Sequence, residues 1–469
     1  MYFQQIRVPG LGCFSYVLGC PAAGEMIVVD PKRDVDEYLQ ISRDEGMRIT
    51  CIIDTHVHAD HVSGAHELAA RTGAPIAMHP DSPVSFPFTP LPEGTVLTAG
   101  SARLEVIHTP GHTPHSLSIL VSDLARSAEP WLILTGDLLF VGDIGRPDLV
   151  GEAVLEEQIA NLYHSLFVKL GALPDHLEVY PAHGSGSLCG KGMSPKTSTT
   201  LGYERRHNPR LQFDSLEAFA AAMRQDFPVR PKSFTHIIAT NAKGAPLLER
   251  CPRELALSVD EFTRHMEAGA VIIDARDGVA FGGGHIPGAL NIGLEKSLAN
   301  WVGMVVDPKA QILLVVADAA GFATMRTELI RIGYDNILGY LAGGIQSWIN
   351  AGRPVHRLTQ INAHELAERL KGGQPPRLVD VRTPQEWAAG RIPGAEHQPF
   401  TEILAACCTL PTDEEIVVYC GSGYRSNMAG SFLRQHGYAN VKSLAGGILA
   451  WTRSGRLLTQ ESSAPSATI

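Results

Sequence analysis

The stretch DTHVHADHVSG, residues 54–64, places three histidines and two aspartates within eight positions. A lone loop histidine is ordinarily a hydrogen-bonded surface residue. Three of them around an aspartate form a set of metal donors. His56, His58, Asp60 and His61 follow the apolar run ITCIID, beyond the end of a predicted strand, where α/β folds build their sites. Further donors follow later apolar runs: His112 in HTPGHTPHS, Asp137 in LTGDLLF and His183 in YPAHG. All are placed to converge on one sheet edge. Imidazole and carboxylate donors suit zinc or iron, and the residues alone leave open whether one ion binds or two. Arg146 and Asp148 in GRPDL are either a salt-bridged loop anchor or contacts to substrate. Cys189, six residues beyond His183, is within reach of the same pocket.

A second constellation lies near the C-terminus. In IVVYCGSGYRSNMAG, residues 416–430, an apolar strand ends at Cys420, a glycine-containing loop follows, and then a helical pattern. Cys420 would face the backbone N–H groups of Gly421, Ser422, Gly423, Tyr424 and Ser426 and the start of the helix. That geometry stabilises a thiolate or persulfide anion. Arg425 adds a fixed positive charge.

These residues need strands to hold them. MIVVD (26–30), ITCIID (49–54), LEVIHT (104–109), LSILV (117–121), WLILTGD (131–137) and LEVYPAH (177–183) read as strands. Residues 35–46 and 63–73 read as helices, and the Pro-rich stretch 80–94 as a surface loop. Alternating strands and helices predict an α/β layer fold. The second half repeats itself: 257–292 resembles 358–400, and 331–352 resembles 435–455. A unit of this length is a self-sufficient domain in tandem, not a solenoid repeat. Aligned on GY and AGG, the first copy has Val316 or Ala317 in place of Cys420 and Gly321 in place of Arg425, so it cannot carry a persulfide. The whole chain of 469 residues is too long for one core. Expected domains are residues 1–250, 251–355, 356–458 and a disordered tail, 459–469. A net charge of −10 argues against a nucleic-acid or membrane-surface partner. Scattered cysteines, eight in all, and a start without a secretory pattern fit a reducing cytoplasm.

The motifs THVHADH, TPGHT, TGDLLF and YPAHG, in that order, resemble the metallo-β-lactamase fold, and GDIGRPDL (142–149) resembles persulfide dioxygenases within it. The resemblance implies an αββα sandwich and a single Fe(II) held by His56, His112 and Asp137, with open positions for substrate and O2. His58, Asp60, His61 and His183 then support those ligands or hold a second metal. The text after His183, GSGSLCGKGMSPKTSTT, departs from the glutathione-persulfide members, so the thiol carrier is glutathione, coenzyme A or another small thiol. Cys20 matches a recurrent position of the same proteins, and a buried strand-end thiol is its alternative reading. The strand–Cys–loop–Arg–helix arrangement after DVR and RIPGA resembles a rhodanese, in which Cys420 carries sulfane sulfur. The order of domains resembles bacterial persulfide dioxygenase–rhodanese fusions. This implies oxidation of a low-molecular-weight persulfide to sulfite in a homo-oligomeric cytoplasmic enzyme, coupled to sulfur transfer through Cys420 that either yields thiosulfate or runs in reverse and loads a thiol to make the dioxygenase substrate. The alternatives are a two-metal thioester hydrolase of the glyoxalase II kind fused to a sulfurtransferase, or a non-catalytic sulfur carrier.

Overall fold

The computed structural model describes all residues except 225, 226, 228, 249–254, 407–409 and 461–469. The chain divides into two compact units, Met1–Cys251 with Thr327–Asp335, and Pro252–Arg326 with Asn336–Ile469. No helix among the described residues is long and apolar enough to cross a membrane.

In the first unit, β1 (Tyr2–Val8), β2 (Cys13–Cys20), β3 (Glu25–Val29), β4 (Arg48–Ile53), β5 (Ile76–Met78) and β6 (Thr89–Pro90) form one sheet in sequential order. A second sheet runs β12-β11-β10-β9-β8-β7, built from β7 (Val96–Ala99), β8 (Ala102–His108), β9 (Leu117–Asp123), β10 (Leu132–Gly136), β11 (Glu178–Pro181) and β12 (Thr199–Thr200). One core joins the two sheets through Tyr16, Ile27, Ile53, Leu104, Ile119 and Leu134. The alternate residues face outward. Val28 and Ile52 meet Tyr38 and Leu68 of the helices Asp36–Asp44 and Ala65–Thr72. Ile133 and Val179 meet Ile159 and Phe219 of the helices Leu155–Tyr163 and Leu216–Met223. Strands covered on both faces read as unbroken apolar runs, and all seven residues of β9 are buried. The architecture is the expected αββα sandwich. The hairpin β1–β2 is not legible in the sequence, because Gln4 and Gln5 interrupt its apolar pattern. The Pro-rich stretch 80–94 contains β6, where Pro90 is tolerated because the strand is at the sheet edge.

The second unit holds two five-stranded parallel sheets. The first is ordered β13-β17-β16-β14-β15, from β13 (Ala256–Leu257), β14 (Val271–Asp274), β15 (Leu290–Asn291), β16 (Ile312–Val315) and β17 (Ile337–Leu341). The second repeats that order as β18-β22-β21-β19-β20, from β18 (Thr359–Ile361), β19 (Arg377–Asp380), β20 (Glu396–His397), β21 (Ile416–Tyr419) and β22 (Val441–Leu444). Each copy ends its second strand in an aspartate that grips the arginine two residues on, Asp274 with Arg276 and Asp380 with Arg382. Of the tail expected to be disordered, Thr459 exchanges backbone hydrogen bonds with Arg391, and Gln460 donates to the Ala389 carbonyl. Those two residues are therefore ordered, and 461–469 lie outside the described residues.

The helix Tyr424–Gln435 of the second copy lies along the first copy with one face. Tyr424 Oη donates to the Gly293 carbonyl (3.1 Å), Ser431 Oγ accepts from Asn291 N–H (3.0 Å), and Gln435 Nε2 donates to the Gly288 carbonyl (2.5 Å). Positions spaced by seven and four residues lie on one helical stripe. Asn427, on that stripe, donates to the Gly423 carbonyl of the Cys420 loop (2.8 Å), and its amide fills the space beside Gly278. A Cβ at Gly278 would meet Asn427 Nδ2 at 2.1 Å, whereas one at Gly283 of the same helix meets nothing within 4 Å. Gly278→Ala is therefore expected to destabilise the second unit by ~1–3 kcal/mol. Gly283→Ala should stay within about 0.5 kcal/mol of the parent or improve on it. Urea unfolding of the two variants side by side checks this.

Candidate metal centre and nucleophile loop

Every histidine and carboxylate of the first constellation stands at the C-terminal end of a strand. The loop after β4 carries His56, His58, Asp60 and His61, β10 leads into Asp137, and β11 leads into His183. His112 lies on the loop between β8 and β9. His56, His112 and Asp137 come together, all buried, with one donor atom of each within 4.8 Å of the others. His112 Nε2 is 3.4 Å from Asp137 Oδ2, and His56 Nε2 is 3.9 Å from it. Asp137 Oδ2 has no hydrogen-bond partner although it is fully buried. A buried carboxylate oxygen left open between two imidazole nitrogens is poorly satisfied by protein alone and fits a cation. Burial holds His56 and His112 below the usual imidazole range, so both present neutral nitrogens. Burial acts against the charge on Asp137, but His183 and His112 outweigh it and keep the carboxyl ionised.

The far nitrogens of both ligands are fixed. His112 Nδ1 donates to the Arg146 carbonyl (2.8 Å), and His56 Nδ1 meets Thr55 Oγ1 (3.0 Å). Contacts of this kind set tautomer and ring direction. Thr55 is itself held by Asp30, through its N–H (2.7 Å) and its hydroxyl (2.9 Å). Asp30 ends the MIVVD strand at φ 50°, the one non-glycine residue with positive φ among those described. Asn241 clamps the histidine loop by donating to the carbonyls of His58 and His61 (2.9 Å each), and His115 Nε2 accepts from Val57 N–H (3.1 Å). Gly145 lies against Asp137, where a Cβ would stand 1.8 Å from the Asp137 carbonyl oxygen. The glycine in GDIGRP thus permits that loop to close over the carboxylate. Asp30, Asn241, His115 and Gly145 escape a sequence reading because each acts on the backbone of a segment remote in the chain.

The remaining predicted donors form a second group. His183 spans two carboxylates, with Nδ1 2.5 Å from Asp137 Oδ1 and Nε2 2.7 Å from Asp60 Oδ2. Burial would lower its pKa, but Asp137 and Asp60 raise it well above the usual value. Asp60 also pairs with His61 (3.2 Å) and accepts from the buried thiol of Cys13 (3.2 Å). Cys13 was not a predicted site residue. It enters because β2 starts beside the YPAHG loop, where Cys13 and His183 form an isolated bridge. His58 turns away from this group toward Asp30 Oδ1 (3.2 Å). Cys189 comes within ligand distance of Asp137 and His183, and burial pushes its thiol up to about 12 against the pull of His183. Arg146 is engaged by Asp148 through two contacts (2.6 and 2.5 Å) and donates to the Leu188 carbonyl (3.3 Å).

In the second unit, Cys420 follows β21 directly. Its Sγ accepts from Gly423 N–H (3.2 Å) and lies 3.8 Å from Ser426 Oγ. The loop carbonyls are fixed by the AGG segment, as Ile448 N–H donates to Cys420 O and Leu449 N–H to Gly421 O (2.8 and 3.1 Å). Gly423 and Ser426 are buried, Ser422 is exposed, and Tyr424 and Arg425 are half-buried. Arg425 is held by both oxygens of Glu386 (2.6 and 2.7 Å), a residue the sequence reading did not single out. In the first copy, Val315 is registered against Asp274 as Tyr419 is against Asp380, so Val316 occupies the position of Cys420. There Asp318 Oδ1 accepts from Gly321 N–H (2.8 Å), so a carboxylate of the loop itself takes up one of its donors.

Comparison with known proteins agrees with this division. Residues 8–183 match the metallo-beta-lactamase superfamily, and residues 258–351 and 362–454 each match the rhodanese-like domain. A sulfurtransferase of Allochromatium vinosum is 42% identical over 98 residues, covering 21% of this chain and 92% of that protein. The mitochondrial persulfide dioxygenase of Bos taurus is 27% identical over 252 residues, covering 51% of this chain and 87% of that protein. A crystal structure of a metallo-beta-lactamase from Staphylococcus aureus subsp. aureus COL superposes with a TM-score of 0.66 at 31% identity, over 73% of this chain and 98% of that one.

The thiols of the first unit differ in their surroundings. Hydrogen bonds from Ser101, its side chain first, bring Cys20 down to about 7, while burial lifts Cys51 to about 11. Only the thiolate attacks an alkylating agent. The rate of Cys20 modification by iodoacetamide should therefore rise with pH through a midpoint at about 7. Cys51 and Cys189 should stay unmodified in the folded protein, as followed by peptide mapping.

Proposed function

Because the chain belongs to the metallo-beta-lactamase superfamily and carries two tandem rhodanese-like domains, we propose that it is a two-centre enzyme of sulfur metabolism. The first centre is a persulfide dioxygenase that binds one Fe(II) at His56, His112 and Asp137, and the second is a sulfurtransferase acting through Cys420. The observation that carries the first assignment is the buried Asp137 Oδ2, without a partner and facing Nε2 of His56 and His112. Two imidazoles and one carboxylate suit a non-haem ferrous site with open positions. The ion, when bound, supplies the sites at which a persulfide sulfur and O2 meet. In the overall reaction RSSH, O2 and water give RSH and sulfite, the terminal sulfur being oxidised and O2 reduced. The chain's own residues orient the ligands: His112 through the Arg146 carbonyl, His56 through Thr55, and the whole loop through Asn241 and His115. R is a small thiol such as glutathione or coenzyme A. At the second centre, sulfane sulfur on Cys420 passes to sulfite and leaves as thiosulfate.

A two-metal hydrolase is the second reading, favoured by the buried donors of Cys13, Asp60, His61 and His183, which also lie within 4.8 Å of one another. Against it, His183 already spans Asp60 and Asp137. Both of its ring nitrogens are engaged by those carboxylates, so neither is open to a second ion.

Metal analysis of the purified protein should give one iron per chain, and His112→Ala or Asp137→Ala should lose most of it together with persulfide-dependent O2 uptake. Two metals per chain and no O2 uptake would establish the hydrolase. From the same persulfide, the parent protein should release mainly thiosulfate and Cys420→Ser mainly sulfite, measured by chromatography of the derivatised anions.

A further inference from the structure

The Cys420 loop carries a cation that sequence reasoning aims at the sulfur, yet the structure gives that cation another partner. Both terminal nitrogens of Arg425 bond the two oxygens of Glu386. Glu386 is not a loosely placed surface carboxylate. It is the third residue of the helix Pro384–Ala389, and its Oε2 accepts from the N–H and the hydroxyl of Thr383 (3.0 Å each) in a capping box. Burial works against its charge, but Arg425 and Thr383 outweigh this and hold it down to about 2. The second guanidinium next to this strand end, that of Arg382, is matched in the same way by Asp380 (2.6–3.0 Å) and capped by the Gly390 carbonyl (2.7 Å). Around Cys420 both arginines are therefore neutralised by carboxylates. The attraction left for an incoming anion is that of N–H dipoles, such as Gly423 N–H.

The geometry points to Glu386 as the residue that sets donor choice at Cys420, favouring a singly charged persulfide over doubly charged thiosulfate. This rests on the sulfurtransferase reading given above. In either transfer the Cys420 thiolate attacks the sulfane sulfur of the donor. A bond forms between Cys420 Sγ and that sulfur, the old S–S bond breaks, and its electron pair leaves with the departing group. From RSS⁻ the departing group is RS⁻. From thiosulfate it is the sulfite dianion, so the reacting assembly carries one more negative charge. A loop with free guanidinium charge would hold that extra charge, whereas a loop whose arginines are paired does not.

Single-turnover loading of Cys420 in the full-length protein tests this. It is followed under argon by the intact-mass gain of one sulfur, with thiosulfate or the persulfide of 2-mercaptoethanol, whose body is uncharged, as donor. Glu386→Gln keeps the hydrogen-bonding shape but removes the charge, and should raise the thiosulfate-to-persulfide ratio of loading rate constants by about tenfold. Glu386→Asp should stay near the parent ratio. Arg425→Ala leaves Glu386 unopposed and should move the ratio the other way. A ratio that does not move in Glu386→Gln, or equal loss with both donors, would overturn the role of Glu386 while leaving sulfur transfer through Cys420 intact. A parent protein that loads from neither donor would overturn the sulfurtransferase reading and this inference with it.

Discussion

The carboxylate of Asp137 is the contact on which the arrangement of the first unit's buried donors depends. It emerges at the end of β10, and its two oxygens have different surroundings. Oδ1 is bonded to His183, and through that ring to Asp60, Cys13 and His61. Oδ2 is open toward His56 and His112. A charge buried among these groups is tolerated because imidazoles surround it on both sides. The same constraint explains why the GDIGRP loop must carry Gly145 against the Asp137 backbone and why Arg146, two contacts deep in Asp148, lends its carbonyl to His112.

The second unit shows how a duplicated fold retains its frame while the residue at its loop changes. Both copies have the same strand order and the same Asp–Arg grip after the second strand. These features act on backbone placement and do not depend on a nucleophile. The position after the fourth strand is free to change, and there Val316 stands in one copy and Cys420 in the other. In the first copy Asp318 accepts from Gly321 N–H, at the position of Arg425, whereas in the second copy Gly423 N–H points at sulfur. The first copy retains a structural part, since its Gly278, Asn291 and Gly293 border the helix that leaves the Cys420 loop.

Charge matching recurs at both centres. Arg146 with Asp148, Arg382 with Asp380 and Arg425 with Glu386 are each close, partly buried pairs beside a reactive position. Removing one partner of such a pair leaves the other charge uncompensated, so these residues hold each other and the loops that carry them. The fields left at the two centres are then set by backbone N–H groups and imidazoles, which are fixed by the fold.

The sequence by itself determined the class of fold and the duplication in the second half, and it singled out the residues proposed to do chemistry. It could do so because apolar runs, turn residues and the clustered histidines are local patterns, readable within a few positions. The strands at 104–109, 117–121 and 131–137 were legible because covering a sheet on both faces demands unbroken apolar runs. The hairpin of β1 and β2 was not, since polar residues interrupt it and pairing across the sheet stabilises it. Only the tertiary structure decided which donors share an edge. His58 turns to Asp30 while His56 meets His112, although the two histidines are two residues apart. It also brought in Cys13, Asn241 and Glu386, whose partners lie 47, 183 and 39 residues away in the chain. Such contacts are set by how sheets and helices close on one another, and no local pattern encodes them.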